Sequence, residues 1–379
     1  MKKINAVIIS TIIFLSYLAI LNPISAETLS VGVDKQYKSI QSAVVNASAG
    51  DVIEVYSGSY IEDLNVTTNN LEIRPASGES VTIKGKLFSD ANSTVANIRI
   101  NANKIKLHGF IIETPEVPDA NYSGGIILTG TDIEIFNNKF ISVGNGQCTV
   151  IQNYSDTNLS MGDISGLNIH DNIFQGNPAG GYIGVNINHT DSNYSLNPIT
   201  VQKNVFTGNI LYAILTDRNS TNILNNQITK TGTNTTENNG IIILGVDKRA
   251  QEEVNIHGNS IKNFNTVGIL IDIDSQILKN INITNNLIQS NQIGIKNTSS
   301  ASGIKINNNT IINNVKYEIQ NSDKHSLDAR FNQWISNSGP IVSKISGNVN
   351  YYPWIRYDEL PISSISKILK KNLAKKNNS

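Results

Sequence analysis

Acids and bases fall together at three places in the chain: Asp217-Arg218, Asp247-Lys248-Arg249, and Asp272 with Asp274. Aligned on the apolar runs that precede them, they come near one corner of successive turns of a repeating structure. Carboxylates stacked about 5–10 Å apart supply the hard oxygen ligands that Ca²⁺ takes. Asp247, Asp272 and Asp274 are therefore the candidate metal ligands, and Ca²⁺ is the candidate cofactor. Asp272 and Asp274 differ by two positions, so they share one face of a strand. A neighbouring Arg218, Lys248 or Arg249 could then take a proton from the carbon beside a carboxylate that the metal has acidified. These acids and bases, Asp217 included, make up the candidate catalytic set. A plainer role competes with it. Asp is an ordinary turn former, and a basic neighbour on a surface pairs with it for little gain.

Other reactive side chains offer less. His189 with Asp191 lies near the same corner one turn earlier. Two histidines fall in Leu107-His108-Gly109-Phe110 and Ile256-His257-Gly258-Asn259, at a turn position of the repeat, and no spacing of His and Cys suits a zinc site. The chain has 1 cysteine, Cys148, which rules out an internal disulfide and is expected to be a small core residue.

The elements that position these groups are legible from a repeat. The segments Ile133–Phe140, Leu167–Phe174, Ile199–Phe206, Thr221–Ile228, Val254–Ile261, Ile281–Ile288 and Ile304–Ile311 share one pattern. An apolar, a polar and an apolar residue lead to two turn residues, then Asn, a variable residue, and Phe or Ile. The shared Asn falls at 138, 172, 204, 226, 259, 286 and 309, and Asn332 continues the series. The gaps by subtraction are 34, 32, 22, 33, 27, 23 and 23 residues. A short period with longer variants is the mark of a solenoid, the longer gaps being the same coil with a loop inserted at a corner. No coil buries its own apolar face, so coils must stack about 4.8 Å apart. The recurrent Asn is expected at an inward corner, bonded to the Asn of the next coil. A second, strongly apolar strand family alternates with the first, as in Gly125–Leu128, Tyr212–Leu215 and Gly268–Ile273. The fold class is therefore all-β: a single-stranded right-handed parallel β-helix.

The ends read differently. Lys2, Lys3 and the apolar run Ala6–Leu21, followed by Pro23 and Ala26, predict a signal peptide over residues 1–26, an uncleaved N-terminal anchor being the rival reading, and either way a secreted or cell-surface protein. The β-helix is expected over 27–357, with an N-terminal cap over about 27–66. In that cap Ser39 can open a helix whose apolar face is Ile40, Ala43, Val44 and Ala47. Residues 358–379 form a basic amphipathic tail that could rest on an anionic surface. Thirty basic residues balance 30 acidic ones, so no overall field draws in nucleic acid. Roughly one residue in seven is Asn, far above ordinary usage, which suits many polar turns.

The run Tyr37-Lys-Ser-Ile-Gln-Ser-Ala, then Ala49-Gly-Asp-Val-Ile-Glu-Val and Gly58-Ser-Tyr-Ile-Glu, resembles the opening of secreted right-handed β-helix proteins of the pectin-lyase-like superfamily. Phe331-Asn-Gln-Trp, Ser338-Gly-Pro and Tyr352-Pro-Trp resemble the closing coil of many bacterial and archaeal β-helix surface proteins. The chain is also similar to carbohydrate-binding and sugar-hydrolase β-helix modules, including the copper-site maturation protein of nitrous oxide reductase. The resemblance implies lyases, hydrolases, esterases and epimerases of acidic polysaccharides. Their marks are missing: no Asp-Asp with Gly-His-Gly, no Gln-Asp-Thr, no Trp-Ile-Asp-His, no Asp-Pro-His. The expectation is an exported cell-surface protein that binds, and could process, a polysaccharide or cell-envelope glycan along a groove of stacked strands. A non-catalytic structural or adhesive envelope protein is the alternative, and a Ca²⁺-dependent polysaccharide lyase at the Asp217–Asp274 corner is a third.

Overall fold

The computed structural model describes residues 26–85, 95–114, 123–143, 148–153, 163–177, 180–188, 197–218, 220–233, 237–244, 253–272, 280–300 and 303–356. All but the last residue of the candidate signal peptide, and the whole basic tail, lie outside the described residues.

Isoleucine and valine at every second position make short, half-buried strands. These assemble into three sheets of 13, 10 and 11 strands, here called A, B and C, and every strand pairing within them is parallel. The chain visits A, B and C in turn. Ile199–Gln202 lies in A, Val205–Gly208 in B and Ile210–Thr216 in C, and Thr221–Leu224 is back in A one step further along the axis. This is the stacked three-strand coil expected from the repeat.

Register keeps like residues in columns. On the inner side of C, Ile126, Ile151, Val185, Ile214, Ile241 and Ile269 pair from coil to coil. On the inner side of A the matching column includes Leu107, Ile135, Ile169, Val201, Ile223 and Ile256. Sheet B adds a ring stack, Phe140 on Phe174 at 4.9 Å and Phe174 on Phe206 at 4.4 Å. All are buried and form one continuous core.

The corner between A and B is the spine of the molecule. The residue before each ladder Asn is left-handed: Asn137, Asp171, Lys203, Asn225, Asn285 and Asn308 have φ of 53–58°, and Gly258 has 70°. Asn, Asp and Gly adopt that conformation cheaply. The next residue is the recurrent Asn, whose side-chain amide donates to its counterpart one coil on. The bonds run 138→172 at 3.2 Å, 172→204 at 3.0 Å, 204→226 at 3.1 Å, 226→259 at 2.9 Å, 259→286 at 3.0 Å, 286→309 at 2.9 Å and 309→332 at 3.0 Å. A second, shorter ladder, Asn291 to Asn314 at 3.0 Å, lies at the corner between B and C. It ends on the carboxylate of buried Glu318, which accepts from Asn314 Nδ2.

Helix α1, Ile40–Asn46, closes the N-terminal end with Ile40, Ala43 and Val44 buried. It packs over Leu64–Val66, the first strand of C. Ser39 caps it by accepting from Ser42 N, as the spacing predicted. At the other end Trp334 is buried, and Trp354 Nε1 donates to Asn337 O at 3.0 Å.

Candidate functional site

Two outer faces can be compared as binding surfaces. On A, Arg74 pairs with Glu54 one coil away (2.9 Å) and with Glu72 of its own strand (3.0 Å), and His170 meets Glu134 one coil away (3.0 Å) and the adjacent Asp171 (2.7 Å). His108, Phe136 and His170 stack at 4.3 and 5.0 Å. Both faces of the Phe136 ring are covered by imidazoles, so it presents only its edge outward. His108 and His257 end strands of A rather than occupying a turn. Further along, Asn222, Asn255 and Asn282 bond to one another at 3.1 Å. Sheet A is thus a laced wall whose polar groups are largely spent on each other.

Sheet C is built differently. A glycine recurs near the start of its strands because the backbone comes too close to its neighbours there. A Cβ on Gly184 would lie 2.5 Å from Ala213 O and 2.6 Å from Phe206 Cε1, and one on Gly268 would lie 2.7 Å from Gly294 O. Beyond the glycine the alternation turns one column outward between two buried ones. It runs Ile127, Gln152, Asn186, Leu215, Ile242 and Leu270, paired coil to coil. A second outward column carries Thr149, Ile183, Tyr212, Asn239 and Val267.

Polar atoms on this face lack partners. Gln152 is 3% exposed and its Nε2 has no hydrogen-bond partner. Asn186 Oδ1 and Asn239 Oδ1 are likewise covered and unpaired, Asn239 being 5% exposed. Native structures pair nearly all such groups, because an unmade buried bond costs about 1–3 kcal/mol. Sequence reasoning missed these amides. Their column holds Arg99, Ile127, Leu215, Ile242, Leu270 and Lys296 as well, a mix of types that does not single them out.

The residues singled out from the sequence come to different places. Asp272 ends a strand of C, is exposed, pairs in register with Leu244, and accepts from Thr298 Oγ1 at 2.5 Å. Asp217 lies one residue past the Thr216–Ile243 pair, in the column of Leu244 one coil earlier. The two carboxylates therefore stand two coil steps apart, about 9.6 Å, with an apolar residue between them. Arg218 is 4% exposed, donates from Nη2 to Ser165 Oγ at 2.9 Å, and lies 4.0 Å from Asp163. It braces the corner between C and A from within. Asp247, Lys248, Arg249 and Asp274, together with His189 and Asp191, lie outside the described residues. Among the described residues no three His, Cys, Asp or Glu side chains group to hold a metal. Of the three candidate Ca²⁺ ligands only Asp272 is described. Cys148 is buried in sheet C. Lys230 is buried too; its ammonium donates to Gly232 O at 2.6 Å, and burial lowers its pKa.

No family model matches the chain, and no curated protein matches it. Solved structures do. The A-module of mannuronan C-5 epimerase AlgE6 from Azotobacter vinelandii aligns with a TM-score of 0.52 at 15% identity, over 82% of this chain and 83% of that one. The A-module of mannuronan C-5 epimerase AlgE4 from the same organism gives 0.52 at 12%, over 83% and 91%. The likeness is one of fold: this chain is a right-handed parallel β-helix. The sequence contains no Asp-Pro-His motif.

Proposed function

We propose that this chain is an exported protein that binds a polysaccharide along the outer face of sheet C. The observation that carries the reading is that face itself. It is a straight run of 11 parallel strands that mixes aliphatic side chains with covered, unpaired amides and the phenol-bearing Tyr212 and Tyr317. A linear polymer made of repeating units finds on it a repeating set of contacts, one per coil, at about 4.8 Å spacing. Sheet A is less suited, because its charges and amides are already committed to each other. Two β-helix modules of similar fold act on mannuronan, a polysaccharide, which supports the substrate class and not the reaction. Binding rather than bond cleavage is the activity assigned, since the sequence carries none of the catalytic motifs sought from the resemblance.

The test is direct binding. The purified protein is applied to a broad array of immobilised polysaccharides, and hits are followed by calorimetry. We expect saturable binding to at least one polymer, weakened at least tenfold by Tyr212→Ala. An array with no hits would sink the reading and leave an adhesive or structural envelope protein.

A further inference from the structure

The two ends of the solenoid are finished unequally. At the N-terminal end helix α1 packs against the first two strands of A, and the inner column stays closed, with Val31 and Ile53 fully buried. At the C-terminal end the inner columns run out into the open. On C, Ile295 and Ile319 are fully buried, but Ile345, paired with Ile319, is only half-buried. On A the column passes from buried Leu327 to half-buried Val349. Trp354 lies half-buried against the same end of the core. Ile345–Ser346 and Val349–Asn350 are the last strands of C and A among the described residues. Beside them, on the connection from B to C, Ile335, Ile341 and Val342 are exposed. Six of the 11 exposed large apolar side chains among the described residues fall within residues 315–352. Open apolar columns beside terminal strand edges make a surface that draws a cover.

The chain itself supplies one. Gln333 pairs with Ile355 on B, so the described residues stop at Arg356 with the chain next due at the corner between B and C, one coil above Ile335. In the residues that follow, Ile362, Ile365, Leu369 and Leu373 stand at i, i+3, i+7 and i+11, the spacing of one apolar stripe on a helix. Lys367, Lys371 and Lys375 fall on the opposite side of it. A helix over residues 362–373 is about 18 Å long. The five-residue strands Ile293–Asn297 and Tyr317–Asn321, which lead up to the open end of C, span about 17 Å. Residues 357–361 reach about 16 Å when extended, enough to turn from B onto that end. A tethered segment also outcompetes a second molecule, its effective concentration being roughly millimolar. We propose that residues 362–373 fold back as an amphipathic helix onto the last coil, closing the core there as α1 closes it at the other end. The apolar stripe then meets the protein's own end rather than a lipid surface, the lysines face solvent, and end-to-end pairing of two copies is blocked.

The experiment uses the full chain in three forms: wild type, the double variant Ile365→Asp/Leu369→Asp, which spoils the stripe, and Lys367→Gln/Lys371→Gln, which alters only the opposite side. Amide exchange is read at Leu327, Ala329 and Phe331, whose N–H groups donate to Asn348 O, Asn350 O and Pro353 O of the last coil. Val205 and Gln227, which donate to Asn172 O and Asn204 O in the middle of the stack, are the reference. The expected result is exchange at least tenfold faster at the three end amides in the Asp variant, with no change at the reference amides and none anywhere in the Gln variant. Trypsin should cut wild type at Lys367, Lys370 and Lys371 at least tenfold more slowly than it cuts a free peptide of residues 357–379. Wild type should be monomeric and should not bind vesicles made of equal parts phosphatidylglycerol and phosphatidylcholine. End amides that exchange alike in wild type and the Asp variant would overturn the proposal. Tryptic cleavage of wild type at the free-peptide rate would overturn it too, and that result stands even where the Asp variant does not fold. Protection of the end amides that grows with protein concentration would assign the cover to a second copy. Vesicle binding by wild type that the Asp variant loses would assign the stripe to a membrane. Either of these also overturns it.

Discussion

At the scale of single residues, the spine Asn is the most consequential side chain. Asn226 donates to Val201 O and Asn259 Oδ1, and accepts from the backbone N–H and the side-chain amide of Asn204. Replacing it by Ala strands several buried groups at once, each worth about 1–3 kcal/mol. We expect Asn226→Ala to lower unfolding stability by at least about 3 kcal/mol, read from urea denaturation. Glu318 behaves differently. Burial holds its carboxyl above the ordinary range, against the opposing pull of the Asn314 hydrogen bonds and Lys344. The folded form therefore binds its proton more tightly than the unfolded chain does. Burying this carboxyl costs nothing below the unfolded value and takes stability away as pH rises towards the folded one. Glu318→Gln should thus be more stable than wild type at pH 7, the advantage shrinking as pH falls from the raised folded value towards the ordinary carboxyl range and vanishing below it, as calorimetry across acidic pH would report.

At the scale of elements, helix α1 shows how a short helix is held. With 7 residues it is too short to persist alone. Its first N–H groups are met by a residue far along the chain: Glu62 accepts from Ile40 N at 2.8 Å and from Gln41 N at 2.9 Å, while Ser39 Oγ takes Ser42 N. A carboxylate there answers both the unpaired donors and the helix dipole. Glu62→Gln keeps one acceptor and loses the charge. It should cost about 1 kcal/mol and loosen the first coil, seen as faster amide exchange over Val52–Val55.

The same elements show what was legible beforehand. Ser39 and the apolar spacing announced the helix, and the eight aligned Asn residues announced the spine, because a pattern repeated many times outweighs chance. Glu62 was unreadable as a cap, since 22 residues separate it from the N–H it meets. The Asn291–Asn314 ladder escaped notice because it is too short to stand out as a repeat. The outer face of sheet C was least legible. Which residues of a strand point outward depends on the two buried columns that flank the glycine position, and no alternation of polar and apolar types marks Gln152 or Asn186 as exceptional. Of the Asp and Arg clusters, Arg218 lies inside the corner between C and A and Asp272 on the surface beside a hydroxyl, while Asp247, Lys248, Arg249 and Asp274 lie outside the described residues.

At the scale of the whole molecule, stability is close to a sum over coils and the contacts between neighbours. The corner between A and B is short in every coil that carries a ladder Asn, while the long segments fall at the other two corners. Coil length can vary from 22 to 34 residues without disturbing the spine. This separation also fixes how the molecule responds to force. Pulled by its two ends, a stack joined only to its neighbours sheds one coil at a time, each releasing its own length of chain. At about 3.4 Å per extended residue, the shortest coil frees roughly 75 Å and the longest roughly 115 Å. The irregular spacing of the asparagines would thus reappear, in order, as a series of unequal extensions.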